Sequence, residues 1–413
     1  MPSYLERFEA TPVAERWPLV RRWMDEAPLD LYAELRAHRP VLEMPELTLV
    51  TRFDDCLEIL RRFDLFSVAL YRSKMAGYWM AQDDTAEHWR DKSVMRSILD
   101  PEDVPGIRSY VGEKAAALLS AAGGSIDAVA GLTRAVPLAL VQDRFGFTES
   151  DPAEMHRWSY WSQMDSFWNQ PFDSIRVADP GKIIAERQAG NQAMAAYLIG
   201  LVQRRASSLQ AGQDSADPVS RLLKLSLSGG LKFDVERVVV NVGGLLVGAV
   251  ETTSHAVVNA LDFLLSRPDD LAKARAAALS DDPTAVDGYV FEALRFRPAF
   301  PYFFRTCEQD TLLSRGSDHE ARVAKGTTVL AVTHSAMFDA EAFPNPNSFD
   351  PNRGLTNSFH FGHGLHECLG RWIGGAMIPE LVRQGLRLNG LSAGPVDRRG
   401  GPVPESWQWR WDS

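Results

Sequence analysis

Apolar positions recur along most of this chain at the three-and-four spacing of helices, with short stretches of alternation near the start and after residue 300. Leu29 to Ala37 carries the helical period. Val41 to Thr51 reads as two short strands around Pro45-Glu46, and Asp54 to Arg62 is helical again. Ile107 to Phe147 has the pattern of amphipathic helices broken by Gly123-Gly124 and by Pro137. Ser207 to Pro218 reads as a polar surface connection. Val235 to Leu265 is one long helical pattern containing Gly243, Gly244 and Gly248, and each glycine costs a helix about 1 kcal/mol against alanine. Such spacing predicts either close helix packing or a backbone approached by something flat. Val323 to Thr333 reads as strands, and Arg371 to Leu388 as a helix that Pro379 should kink by removing one hydrogen bond. The pattern as a whole predicts a mainly α chain with a small β part, an α+β fold.

Composition narrows the function classes. The chain has 413 residues, 45% of them hydrophobic and 24% charged, the balance of a globular protein that can bury a large core. Its formal charge of −10 disfavours nucleic acid as a partner. The longest apolar run, near Val238 to Val250, is interrupted by Asn241 and ended by Glu251, so no membrane span is expected. Three cysteines, Cys56, Cys307 and Cys368, show no paired spacing, and the N-terminus carries neither signal peptide nor anchor, which points to the cytoplasm.

The strongest chemical signal is Phe359 to Gly370, where Gly362, Gly364 and Gly370 crowd around Cys368 just before a helical pattern. Glycines there permit a tight turn and close approach to a flat object. A cysteine near a helix N-terminus is stabilised as thiolate and predicts a buried metal ligand. Two chemistries fit: a tetrahedral zinc site from His360, His363, His366 and Cys368, against which the glycine spacing argues, or heme iron with a proximal thiolate.

The run Phe361-Gly362-x-Gly364-x-His366-x-Cys368-x-Gly370 resembles the heme-binding loop of the cytochrome P450 family. The resemblance continues in register from about Leu29 to the C-terminus, which implies one P450 domain over residues 1–413, with heme b between a long central helix and the cysteine loop. It implies Cys368 as the axial ligand, Phe361, Gly362 and Gly370 as the loop around it, and His366 near a propionate. His88, in a segment similar to the family's Asp-Pro-Pro-Glu-His, and Lys92 on the same helical face would meet propionates too, as would Arg305. Gly248-Ala249-Val250-Glu251-Thr252-Thr253 resembles the oxygen-activation motif, making Glu251 and Thr252 the catalytic pair. An acid ending an apolar run suits proton delivery, and a threonine hydroxyl can bond oxygen while accepting from water. Glu292 and Arg295 match the Glu-x-x-Arg pair, whose buried structural network would include Arg353. Tyr78, Trp79, Trp168, Leu245, Gly248, Ala249, Ala299, Phe300 and Tyr302 would line the substrate cavity, and six aromatics between Trp158 and Phe172 suggest that some rings face its entrance.

The implied activity is insertion of one oxygen atom from O₂ into a small apolar or aromatic compound. No Gly-x-Gly-x-x-Gly site and no cysteine cluster is present, so an external ferredoxin or flavin-type donor is expected, docking on a basic face with Arg90, Lys92, Arg96 and Arg371. A peroxide-driven hydroxylase of the same fold and a heme-binding sensor are the rivals, and the Glu251-Thr252 pair argues against both.

Overall fold

A computed structural model describes residues 2–75, 77–230 and 233–412, without the side chains of 174 and 175. It falls into two compact units. The first comprises Met1–Ala76, Met80–Thr85 and Arg295–Cys368; the second comprises Gly77–Trp79, Ala86–Leu294 and Leu369–Ser413.

The first unit is built on a five-stranded sheet in the order Val41–Glu43, Thr48–Val50, Thr328–Ala331, Phe303–Cys307, Phe66–Ser67. The expected hairpin is the pair Val41–Glu43 and Thr48–Val50, with Val41 opposite Val50. Thr48–Val50 runs parallel to Thr328–Ala331, and the remaining pairs are antiparallel. The helix Phe53–Arg61 starts with Asp54 and Asp55 and ends with Arg61, charges that suit its dipole. Its apolar face, Cys56, Ile59 and Leu60, packs into a core with Phe66, Val329, Phe343 and Phe359. The strands expected over 323–333 are the end of Ala321–Val323, which belongs to a separate hairpin, and Thr328–Ala331, while Thr333 already opens the helical turn Thr333–Ala336.

The second unit is mainly helical. Val104–Ala122 ends at left-handed Gly123, as the glycine pair predicts. Pro137 breaks nothing, because it is the third residue of the helix Ala135–Phe145, where a first-turn proline leaves no hydrogen bond unmade. The interruption is a π turn over Val129–Thr133, closed by the Arg134 amide on the Val129 carbonyl at 3.0 Å. The helix Pro180–Gln210 extends four residues into the segment read as a surface connection. Arg371–Leu386 stays helical across Pro379, packed on Val104–Ala122. Among the described residues no helix is long and apolar enough to cross a membrane.

The long pattern from Val235 is two helices, Val235–Ala249 and Glu251–Leu265, separated at Val250, whose φ of −89° and ψ of −70° lie off the helical values. Its glycines serve different ends. A Cβ on Gly243 would meet Leu198 and Met194 of the Pro180–Gln210 helix at 3.4 Å, and one on Gly244 would meet the Tyr78 ring at 2.4 Å. One on Gly248 would meet nothing within 4 Å.

Candidate active site

In the first unit the cysteine loop is fixed by its own backbone. Phe359 is buried in the core against Phe53, with ring centroids 5.2 Å apart. The Gly362 amide donates to the Phe359 carbonyl at 3.0 Å, and the Cys368 amide to the Phe361 carbonyl at 2.8 Å, closing the loop on itself. Gly362 and Gly364 both have positive φ, +71° and +72°, where a side chain is strained. Gly364 is also pressed on the neighbouring helix, since a Cβ there would lie 2.6 Å from the Leu60 carbonyl oxygen. Cys368 is exposed rather than buried. It lies two residues before Gly370, which caps the helix Arg371–Leu386. His363 is engaged by Arg61 at 2.9 Å, and among the described residues no three His, Cys, Asp or Glu side chains are grouped to hold a metal ion.

Arg305 is 5% exposed, on the strand Phe303–Cys307, which lies between Thr328–Ala331 and the edge strand Phe66–Ser67. It donates to the Phe304 carbonyl at 2.8 Å and makes no ion pair among the described residues. Burial holds its guanidinium below the ordinary arginine value, with Tyr71 and Asp83 only partly offsetting that. A desolvated, unpaired cation of this kind fits an anionic group such as a propionate. Just before this strand, Ala299 and Phe300 are half-buried and Tyr302 is buried. Arg295 and Arg353 both donate to the Ser348 carbonyl, at 3.1 and 3.5 Å, and Arg295 also holds the Met337 carbonyl at 3.1 Å. Glu292, one turn earlier on its helix, is buried.

In the second unit His88 and Lys92 share a face of the helix Ala86–Ile98, both buried. His88 Nδ1 is 3.0 Å from the Trp79 carbonyl, and the Lys92 ammonium lies 5.2 Å from the Trp79 ring centroid. Lys92 therefore does not belong to a surface basic patch, and Arg90 is paired with Asp91 at 2.8 Å. Trp79 and Trp168 are buried, Trp168 against His255 with centroids 5.9 Å apart. Leu245 is buried, Gly248 exposed and Ala249 intermediate.

The Glu251-Thr252 pair stands at the helix break. The Thr252 hydroxyl donates to the Gly248 carbonyl at 2.7 Å, so its hydrogen is committed there and its lone pairs remain to accept. Glu251 is not an isolated buried acid. Its Oε2 accepts from Arg134 Nε at 3.0 Å and Nη2 at 2.9 Å, and its Oε1 lies 3.3 Å from His156 Nε2. Arg134 also reaches Glu405 at 3.4 Å and the Pro404 carbonyl at 3.1 Å, and Tyr160 donates to Glu405 at 2.6 Å. Burial works against the Arg134 cation, but Glu251 and Glu405 outweigh it and raise its proton affinity above the ordinary value. Sequence reading missed Arg134, His156 and Glu405. No local pattern marks them, because the network joins residues 117 and 271 positions apart.

Known proteins resemble this chain over most of its length. The family model for cytochrome P450 matches residues 118–382. The cytochrome P450 monooxygenase PikC of Streptomyces venezuelae is 28% identical over 360 residues, 83% of this chain and 79% of that protein. Erythromycin C-12 hydroxylase of Saccharopolyspora erythraea is 30% identical over 291 residues, 70% of this chain and 67% of that one. The solved structure of CalO2 shares the fold with a TM-score of 0.77 at 21% identity, covering 94% of this chain and 97% of that one.

Proposed function

This chain belongs to the cytochrome P450 family and is a monooxygenase; from that premise we propose that it hydroxylates or dealkylates a small apolar or aromatic substrate in the cytoplasm, using heme b and electrons from an external ferredoxin or flavin-type donor. When bound, a heme with a thiolate ligand supplies the activation of O₂. The chain's own part is to hold and to protonate. Cys368, presented by the Gly362 and Gly364 turns, would be the ligand, and Arg305, His88, Lys92 and His366 would hold the propionates. Gly248, beside which a methyl would find open space, leaves room for a flat group on the helix. Buried Trp79 and Trp168 support an apolar or aromatic substrate.

The observation that carries the reading is the acid and alcohol side by side at the Val250 break. Thr252, bonded to Gly248, can accept a hydrogen bond from a water, and Glu251 can hand that water a proton. Such a pair serves oxygen activation and is superfluous to a peroxide-driven hydroxylase.

The test begins with the dithionite-reduced carbon-monoxide spectrum, which should be of the thiolate type. Oxygen uptake with a surrogate ferredoxin and its reductase should follow, with product analysis. Turnover with peroxide alone would select the peroxide-driven rival, and a thiolate spectrum without any turnover would select the sensor.

A further inference from the structure

We propose that His156 is the residue through which protons reach Glu251, with Arg134 and Glu405 positioning the carboxylate to receive them. The inference rests on the reading of Glu251 as the proton donor and adds the path that supplies it.

Two atoms carry the argument. His156 Nε2 and Glu251 Oε1 are both buried, and neither has a hydrogen-bond partner among the described residues. They face each other at 3.3 Å, outside good hydrogen-bond alignment but within ion-pair range. Were both unprotonated, two lone pairs would confront each other in a site shielded from water. A hydrogen therefore belongs between them, on one atom or the other. The rest of the His156 side chain is 35% exposed, while that of Glu251 is 5% exposed. One pair thus spans the distance from solvent to the helix break.

The charges around it say why that proton can move. Glu251 and Glu405 share the single guanidinium of Arg134, whose side chain is 7% exposed. Two carboxylates and one cation leave a formal excess of one negative charge in a desolvated cluster, and a proton is what neutralises it. Arg134 occupies Oε2 with two N–H groups, which leaves Oε1 to His156. Tyr160 is neutral, its phenol raised well above the ordinary value by burial and by its bond to Glu405. On the helices Pro152–Gln163 and Pro180–Gln210 two arginines are engaged elsewhere, and the Lys182 ammonium lies 5.8 Å from the Trp161 ring centroid. Arg157 pairs with Glu154 at 3.1 Å and Glu186 at 3.6 Å, and Arg187 pairs with Asp165 at 2.5 Å. Histidine is the side chain suited to exchange a proton with water between pH 5 and 8. In the step itself the N–H bond at Nε2 of the imidazolium breaks, an O–H bond forms at Glu251 Oε1, and the neutral imidazole left, with its hydrogen on Nδ1, takes a replacement proton from a solvent hydronium ion.

Two measurements test this on the holoenzyme. In its diamagnetic ferrous carbon-monoxide form, labelled-histidine NMR should show the hydrogen of His156 on Nε2, assigned by its absence in His156→Gln, and should show that preference lost in Glu251→Gln. A hydrogen distribution on His156 that is the same in the wild type and in Glu251→Gln would overturn the pairing. Oxygen uptake driven by a surrogate ferredoxin and reductase, followed from pH 5.5 to 8.5, should fall about tenfold or more in His156→Gln with its pH dependence flattened. The carbon-monoxide spectrum reports intact folding in each variant. If Glu251→Gln slows uptake while His156→Gln keeps both rate and pH profile, the entry path is wrong and Glu251 still donates. If Glu251→Gln is itself unimpaired, the proton-donor reading fails and this inference fails with it.

Discussion

The two units hold their candidate groups by different means. In the first, Cys368 is presented by backbone: two positive-φ glycines, a loop closed by amide–carbonyl bonds and Phe359 seated in the core, all within a dozen residues. In the second, Glu251 is held by side chains that reach it from the π-turn junction at Arg134, from His156 on the helix Pro152–Gln163, and indirectly from Glu405 near the C-terminus. The group proposed as a metal ligand is fixed by steric restriction. The group proposed to exchange a proton is fixed by charges that can re-equilibrate. The contrast separates rigidity of position from rigidity of protonation.

The largest expected effect breaks the first half of the contrast. Cys368→Ser should abolish the thiolate-type spectrum of the reduced carbon-monoxide adduct, because no other side chain of that loop offers an anionic sulfur. His360→Ala and His363→Ala should keep the spectrum.

Next, Arg134→Met removes the one cation between Glu251 and Glu405. Breaking a buried pair from one side costs about 3–5 kcal/mol, so the urea midpoint should drop clearly, with the loss recovered in part by Glu251→Gln in the same chain. A wild-type midpoint would mean that the network contributes no stability.

The backbone side is sharpened by comparing two glycines. Gly364→Ala combines a positive φ with a Cβ 2.6 Å from the Leu60 carbonyl and should cost about 2–4 kcal/mol along with the bound heme. Gly362→Ala has the same φ, but its nearest neighbour is 3.7 Å away, so it should cost only about 1–2 kcal/mol. Equal losses in urea melts would show that crowding against Leu60 is irrelevant.

Smallest is the acid response. Each unit buries a histidine that its surroundings keep neutral. His334 is lowered to about 3, chiefly by burial, and His255 is lowered well below the ordinary value by burial and then by Arg398 and Arg176. Their folded values lie below the unfolded value of about 6.5, so the unfolded chain takes up protons first as pH falls. Stability is therefore full above pH 6.5 and declines below it, toward about pH 3 for His334, by about 1.4 kcal/mol per pH unit per histidine. His334→Gln should flatten that limb between pH 7 and 5 in urea melts. An unchanged slope would show that His334 protonates without unfolding.

The same contrast explains what was legible in the sequence. Gly362, Gly364 and Cys368 could be read because their motif is contiguous, although the contact of Gly364 with the Leu60 carbonyl could not. Arg295 and Arg353 could be read from their motifs, although their common target, the Ser348 carbonyl, could not. Lys92 was placed on the right helical face, but whether it meets solvent depends on Trp79, which periodicity does not report. Pro137 misled because a proline marks either a break or a first turn, and only the chain before it decides. Arg134, His156 and Glu405 carry no local signature, since what joins them to Glu251 is tertiary packing.

The interruption at Val250 also has a consequence for local opening. The first amides of a helix lack acceptors within it, so those that begin Glu251–Leu265 do not share in the hydrogen bonding of Val235–Ala249. The two segments are thus separable cooperative units, and deuterium uptake should show a gap in protection at Glu251 and Thr252 between two slowly exchanging stretches. At that gap the backbone can open by fractions of a turn without unwinding either flank, so a water molecule can come and go beside Thr252 while the helices on both sides stay closed.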